Sequence, residues 1–275
     1  METSTKKTVL ITGSSSGIGR ATAKYFHDND WNVIATMRGP ENESELTALA
    51  NVLVTRLDVR DPDSIASAVS TGLERFGRLD VLVNNAGYGA YGLLEATPMD
   101  KVRRQYDVNV LGLLDTTKAV LPHFRARGTG TIVNISSIGG KVTFPLGTLY
   151  HGTKFAVEGL SEALHYELAA VGVRVKIVEP GFVDTDFAGR SFDFTNDESL
   201  TGYQPLVGAF FAAQAQLGAG GDKPEVVAEV IHRAATDGTD QLRYTAGPYA
   251  AELLANRAAA DDATFITGVR QQFGI

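Results

Sequence analysis

The chain has 275 residues and no cysteine, which excludes disulfides, thiolate metal sites and a cysteine nucleophile. Its formal charge of −7 argues against a nucleic-acid partner, which would call for a basic face, and no run approaches the roughly 20 apolar residues of a membrane span. With 44% apolar and 21% charged residues, the length suits one large α/β domain spanning 1–275 without covalent staples. METSTKKTVLITG at the N-terminus lacks the apolar stretch of a secretory signal, so the expected location is the cytoplasm. The five histidines, at 27, 123, 151, 165 and 232, show no ligand spacing; packing or solvated roles are expected, and no metal.

In chain order, short β-rich runs alternate with helical patterns. KTVLIT (7–12) predicts a strand running straight into TGSSSGIG (12–19), and IGRATAKYFHDN has helical periodicity. WNVIATM (31–37) predicts a strand, 44–50 a helix, and LVTRLDV (53–59) a further strand. In 61–77, Pro62 stands near the start of a predicted helix and Gly77 near its end. LDVLVNN (79–85) is nearly continuous in apolar residues, as expected where both faces of a sheet are covered. A long helix is predicted over 99–127, a strand over 130–136, a helix over 150–172 and a strand over 173–181. The stretch 186–222 lacks strand periodicity and reads as an irregular or helical excursion beside the substrate. A helix (224–238), a last strand (241–247) and a tail of one or two helices (249–275) complete the chain. This alternation implies a doubly wound, three-layer α/β domain with a mostly parallel sheet.

Two stretches point to chemistry. TGSSSGIG lies between a strand and a helix, where glycines permit a tight turn and the helix N-terminus offers free N–H groups to a phosphate. In YHGTK (150–154), Tyr150 and Lys154 stand one helical turn apart on one face. A nearby ammonium favours a phenolate and lowers the phenol's pKa, so the pair could move a proton.

The glycine spacing Gly13, Gly17, Gly19 is joined by NNAG (84–87), Ser137, Tyr150-x-x-x-Lys154 and Pro180-Gly181, all in one order. Together these motifs resemble the classical short-chain dehydrogenase/reductase family over about residues 7–250. Within it, VIATMRG (33–39) is most similar to the 17β-hydroxysteroid dehydrogenase-like and retinol dehydrogenase-like oxidoreductases. The resemblance implies a Rossmann-type domain with a seven-stranded sheet and a carbonyl–alcohol oxidoreductase. By it, Tyr150 is the general acid or base, and Lys154 lowers the Tyr150 pKa and holds the nicotinamide ribose. Ser137 meets the substrate oxygen, and Asn109 supports Lys154 through water. The same resemblance places Asp58 and Val59 at the adenine and Asn85, Ala86 and Gly87 at the adenosine ribose, with Asn84 bracing the sheet. Gly13, Ser14, Ser16, Gly17, Ile18 and Gly19 fall at the phosphates. Pro180, Gly181, Val183 and Thr185 fall at the nicotinamide end.

NADP is the expected cofactor. NAD-preferring relatives end the second strand in an acidic residue, whereas here Met37 takes that position and Arg38, beside it, can clamp a 2′-phosphate. The substrate pocket is expected from stretches rich in aromatic residues: Tyr88, Tyr91, Phe182, Phe187, Phe192, Phe194, Tyr203, Phe210 and Phe211. Arg190 is the only cationic side chain in 182–211, so a small apolar or aromatic substrate is expected. Alternatives are a nucleotide-sensing protein without turnover, or a lyase or epimerase on the same fold. Classical members pair through helices matching 99–127 and 150–170, so a homodimer or homotetramer is expected; Gly152, Ala156, Gly159 and Ala163 would permit close helix approach.

Overall fold

A computed structural model describes residues 6–185, 189, 191–217 and 221–275; Phe187 and Arg190 lie outside them. Seven strands form one parallel sheet: β1 (Thr8–Ile11), β2 (Asn32–Met37), β3 (Val52–Arg56), β4 (Val81–Asn84), β6 (Gly130–Ile135), β7 (Val173–Pro180) and β9 (Arg243–Ala246). Their spatial order is β3-β2-β1-β4-β6-β7-β9. The order reverses between β1 and β4, and it is outside the carboxyl ends of the strands at such a reversal that open α/β sheets take ligands. β1, β2, β4 and β6 are buried at every residue, which is why their sequences run apolar without alternation.

Helices cover both faces. On one side, α1 (Gly17–Asp28) and α7 (Pro224–Thr236) pack Phe26, Val227 and Ile231 onto Val9, Val33 and Val178. On the other, α2 (Pro62–Phe76), α4 (Gly112–Arg127) and α5 (Thr148–Ala169) pack Ile65, Phe124 and Leu168 onto Leu10, Leu82 and Ile132. Each such fully buried side chain contributes about 1.5–3 kcal/mol of transfer free energy. α2 has the expected ends: Asp61 accepts from Ser64 N at 3.2 Å, Pro62 opens the helix, and Gly77 closes it at φ 74°.

Three local features depart from the expectations. The helix predicted over 44–50 is a single 3₁₀ turn at Leu46–Ala48. Only Leu46 is buried there, and Thr47 Oγ1 donates to Glu43 O at 2.6 Å, so a local side-chain bond replaces helix propagation. Within 186–222, β8 (Phe192–Thr195) precedes the helix α6 (Gln204–Leu217). β8 pairs in parallel with β5 (Gly89–Gly92) outside the main sheet, a partnership between remote segments that local periodicity does not announce. A Cβ on Gly92, at φ 124°, would lie 1.9 Å from Thr195 O, so only glycine lets these strands approach. Finally, the 99–127 helix is continuous, but α3 (Met99–Tyr106) passes into α4 through a π-helical turn at Asp107–Leu111. The tail forms α8 (Pro248–Ala259) and α9 (Asp262–Phe273). Among the described residues no helix is long and apolar enough to cross a membrane.

Candidate active site

The glycine loop joins β1 to α1. Gly13 and Gly17 take φ of 72° and 52°, where an L side chain is strained. A Cβ on Gly19 would lie 2.2 Å from Gly13 O and 2.5 Å from Asn85 Nδ2, so this glycine lets the helix start against the loop itself. Ser16 stands at the N-cap and Ile18 packs onto the sheet, leaving a first turn with no acidic residue to repel an anion. Ser14 is fully buried and donates to Ile11 O at 3.1 Å, so its hydroxyl braces the loop instead of facing a phosphate.

Thr12 ties this loop to NNAG. Its Oγ1 accepts from the backbone N–H groups of Asn85 and Ala86, both at 3.0 Å. Asn85 Nδ2 returns bonds to Thr12 O and Gly13 O at 2.9 and 3.1 Å. Asn84 braces the sheet, donating to Asn134 Oδ1 at 2.9 Å. Next along the chain, Gly87 approaches Asn109, whose side chain bonds both Tyr88 N (3.1 Å) and Tyr88 O (2.9 Å). Asn109 lies in the π turn, where the widened backbone lets it reach this loop and also Thr153 Oγ1 at 3.1 Å. Its side chain is thus committed to positioning.

Ser137 follows β6 in extended conformation, and its Oγ accepts from Gly139 N at 3.0 Å. The same hydroxyl is hydrogen-bonded to Tyr150, one turn into α5 from Gly147. Lys154 lies a turn further on, 5.8 Å from the Tyr150 ring centroid, and donates to Ile135 O at 2.8 Å. The Ser137–Tyr150–Lys154 constellation therefore assembles. The electrostatics correct one expectation. Burial pushes the Tyr150 phenol above its ordinary value, and the bond with Ser137 pulls it part of the way back. Burial drives Lys154 down to about 8, against the attraction of Glu158. Lys154 points its ammonium at a backbone carbonyl, and the phenol stands above its ordinary value, not below it as expected.

The remaining expected contacts surround this centre. Thr185 comes over the glycine loop, within 3.3 Å of where a Gly17 Cβ would stand. Pro180 ends β7, Gly181 abuts Ala250, and Val183 forms an isolated parallel bridge with Asp222. Val59 is buried against Gly112, and Asp58 Oδ1 accepts from Arg60 N at 3.0 Å. Met37 is buried at the end of β2, while Arg38 is exposed. Among the described residues no ion pair holds Arg38, whereas Arg20 is engaged by Glu43 and Glu45.

The aromatic residues divide. Tyr91 lies on Tyr150, with Phe192 5.1 Å behind it, centroid to centroid. Phe210 and Phe194 extend this layer, and Phe182 meets Phe144. Tyr88 instead faces Arg104, and Tyr203 and Phe211 are exposed, so these three do not wall the centre. Three residues with structural work here carried no sequence signal of their own: Thr12, Thr153 and His151. Thr12 was findable as the first letter of TGSSSGIG; Thr153 and His151 lie inside YHGTK but were overshadowed by its tyrosine and lysine.

A glycine-rich turn at the switch point of a parallel sheet, beside a serine–tyrosine–lysine group, defines a Rossmann-type oxidoreductase class of protein. The family model described as short chain dehydrogenase matches residues 7–196, and the chain belongs to that family. It is 45% identical over 244 residues to an uncharacterized oxidoreductase of Schizosaccharomyces pombe, covering 87% of this chain and 100% of that one. It is similar to the crystal structure of a short-chain dehydrogenase from Streptomyces avermitilis, at TM-score 0.83 and 35% identity, with 94% of each chain covered. The structure of ElxO with NADP bound matches at TM-score 0.72 and 32% identity, over 87% of this chain and 97% of that one.

Proposed function

We propose that residues 1–275 form one dinucleotide-binding and catalytic unit, an NADP-dependent oxidoreductase that interconverts a ketone or aldehyde and its alcohol. The observation that carries this reading is the half-buried Tyr150, its hydroxyl hydrogen-bonded to Ser137, with Lys154 one turn away. A dinucleotide fits the chain's own residues, since the loop at Gly13, Gly17 and Gly19 leaves out every Cβ that would crowd its backbone. Gly13, Ser16, Gly17, Ile18 and Gly19 would face the diphosphate, Arg38 the 2′-phosphate, and Asp58 and Val59 the adenine. Asn85, Ala86 and Gly87 would line the ribose, and Pro180, Gly181, Val183 and Thr185 the nicotinamide end. NADP is bound by the similar ElxO, and among the described residues no ion pair holds the exposed Arg38, which leaves it open to the extra phosphate.

When bound, the nicotinamide supplies the hydride chemistry. Ser137 Oγ and Tyr150 Oη together orient a carbonyl oxygen and donate to it as negative charge grows there. Tyr150 Oη gives its proton to that oxygen in reduction, or takes the alcohol proton in oxidation. The high phenol pKa keeps the proton in place for reduction, and Lys154, turned from Ile135 O towards the phenolate and a ribose, stabilises the charge left behind.

The Tyr91–Phe192 layer favours an apolar or aromatic carbonyl compound. The finer likeness to 17β-hydroxysteroid dehydrogenase-like and retinol dehydrogenase-like enzymes, carried by VIATMRG, points the same way. A cysteine-free chain suits a reducing cytoplasm. Exposed Leu111, Phe155 and Tyr166 on the continuous 99–127 helix and α5 give a homodimer or homotetramer its contact surface. The reading is tested with a panel of ketones and alcohols assayed with NADPH, NADH and their oxidised forms by nicotinamide absorbance. Turnover of apolar carbonyls with NADPH is expected; a preference for phosphorylated or dicarboxylate substrates, or for NADH, overturns it.

A further inference from the structure

His151 follows the central tyrosine and is only 4% exposed. Both of its ring nitrogens are occupied. Phe144 N lies 3.0 Å from Nε2, and Gly139 O lies 2.9 Å from Nδ1. A backbone N–H can only donate and a carbonyl can only accept. The two partners therefore fix the tautomer: Nε2 is bare and Nδ1 carries the hydrogen. An imidazolium would set its Nε2–H against the Phe144 N–H, so only the neutral ring satisfies both bonds.

These bonds clamp the 139–144 segment at both ends. Gly139 N, in turn, donates to Ser137 Oγ, and Ser137 is bonded to Tyr150. A closed circuit results: Tyr150 and His151 are covalent neighbours, His151 holds Gly139, Gly139 holds Ser137, and Ser137 meets Tyr150. The surrounding chain is shaped to the ring. A Cβ on Gly147 would lie 2.4 Å from His151 Cδ2, and one on Gly139 would lie 2.9 Å from Nδ1. The titratable neighbours are the phenols of Tyr91 on β5, at 6.1 Å between centroids, and Tyr150 on α5, at 5.8 Å. From the 139–144 segment the ring meets Phe144 and the Gly139 backbone; among the described residues no carboxylate or cation acts on it.

We propose that His151 is a positioning residue: its neutral imidazole sets the Ser137 hydroxyl against Tyr150, and protonation releases that setting. The kinetic arm rests on the oxidoreductase reading above; the spectroscopic arm does not. Burial disfavours the imidazolium, in the direction the geometry requires.

The test uses the intact chain with His151→Phe, which fills the ring's space without either bond, and His151→Asn, which retains a donor for Gly139 O and cannot titrate. His151→Phe should lower kcat about tenfold or more, the worth of roughly one hydrogen bond, with NADPH affinity unchanged. His151→Asn should recover part of that loss and should lack the acid-side fall in kcat that the parent shows. In the parent, nitrogen–proton NMR of the imidazole should show the Nδ1–H tautomer, still neutral below the ordinary value of about 6.5. Parental kcat in His151→Phe, an unchanged acid limb in His151→Asn, or an Nε2–H tautomer overturns the proposal. If His151→Phe does not fold, the Asn variant and the NMR decide. If the parent turns over no carbonyl or alcohol, the oxidoreductase reading falls and the tautomer still decides the role of His151.

Discussion

The ring of Tyr91 lies against that of Tyr150, with centroids 5.4 Å apart and planes inclined by 29°. Tyr91 is thus one wall of the burial that raises the Tyr150 phenol, and burial lifts Tyr91 itself well above the ordinary phenol range. Replacing Tyr91 by Ala should admit water to that face and lower the Tyr150 pKa. The rise of alcohol oxidation with pH should then move to lower pH, and KM for apolar substrates should rise. An unmoved limb would assign the burial to other walls.

Tyr150→Phe should abolish turnover while leaving NADPH affinity nearly intact, because it deletes only the hydroxyl that Ser137 meets. Near-parental rates would remove Tyr150 from its proton-donor role. Lys154→Ala should impair both turnover and affinity. With Lys154 at about 8, its charge is present below that pH and is lost above it. NADPH affinity in the parent should therefore weaken as pH rises through about 8, and the Ala variant should not show that step in fluorescence titrations.

Arg38→Ala should weaken NADPH by roughly 1.5–3 kcal/mol, the scale of a hydrogen bond to a charged group, or about ten- to more than a hundredfold. NADH affinity should barely change, and Met37→Asp with Arg38→Ala should reverse the preference. Equal loss of both cofactors in the single variant would mean that the phosphate is read elsewhere.

Glu179 ends the run of β7 before Pro180, 3% exposed, with burial and the neighbouring Glu158 raising it to about 7. Arg243, 3.8 Å away, is shared with Glu158 and Glu162 and does not cancel this. An unfolded glutamate titrates near 4.5, so between 4.5 and 7 the folded state holds a proton that the unfolded state lacks. Stability falls as pH rises through that window, by up to about 3 kcal/mol at roughly 1.4 kcal/mol per unit. Glu179→Gln should therefore raise the urea midpoint above pH 7 and lose its advantage near pH 5. An equal effect at both would show that Glu179 does not titrate there.

Leu111→Glu with Tyr166→Glu places charge on side chains that are 51% and 70% exposed on the proposed contact face. The parent should scatter light as a dimer or tetramer at micromolar concentration, and the double variant as a monomer. A monomeric parent would remove the oligomer from the reading.

The sheet was legible where its strands are buried on both faces, as in Val81–Asn84, whose apolar run could hardly be anything else. The serine–tyrosine–lysine group was legible from spacing. What spacing could not show was orientation. Ser14 turns inward to Ile11 O, and Lys154 turns to Ile135 O, because each fills the hydrogen-bonding need of a neighbouring backbone group. His151 was hidden for the same reason: its partners, Gly139 and Phe144, are backbone groups, which leave no mark in residue identity. β5 and β8 escaped because Gly89–Gly92 has little strand propensity and gains its form only from its remote partner.

That pairing has a practical corollary for anyone seeking to alter the substrate pocket proposed beside Tyr150. Lys101 holds Asp193 at 2.7 Å, Leu93 N meets Thr195 O at 3.0 Å, and Gly92 leaves no room for a larger residue beneath Thr195. Phe192 travels with one strand and Tyr91 with the other, in contact with each other. A loop transplanted from a relative at 191–195 alone would arrive without the edge it was cut to fit. The interchangeable module is the pair of stretches, 89–93 with 191–195 and Lys101 beside them, and selection for new specificity should find its gains in changes made to both.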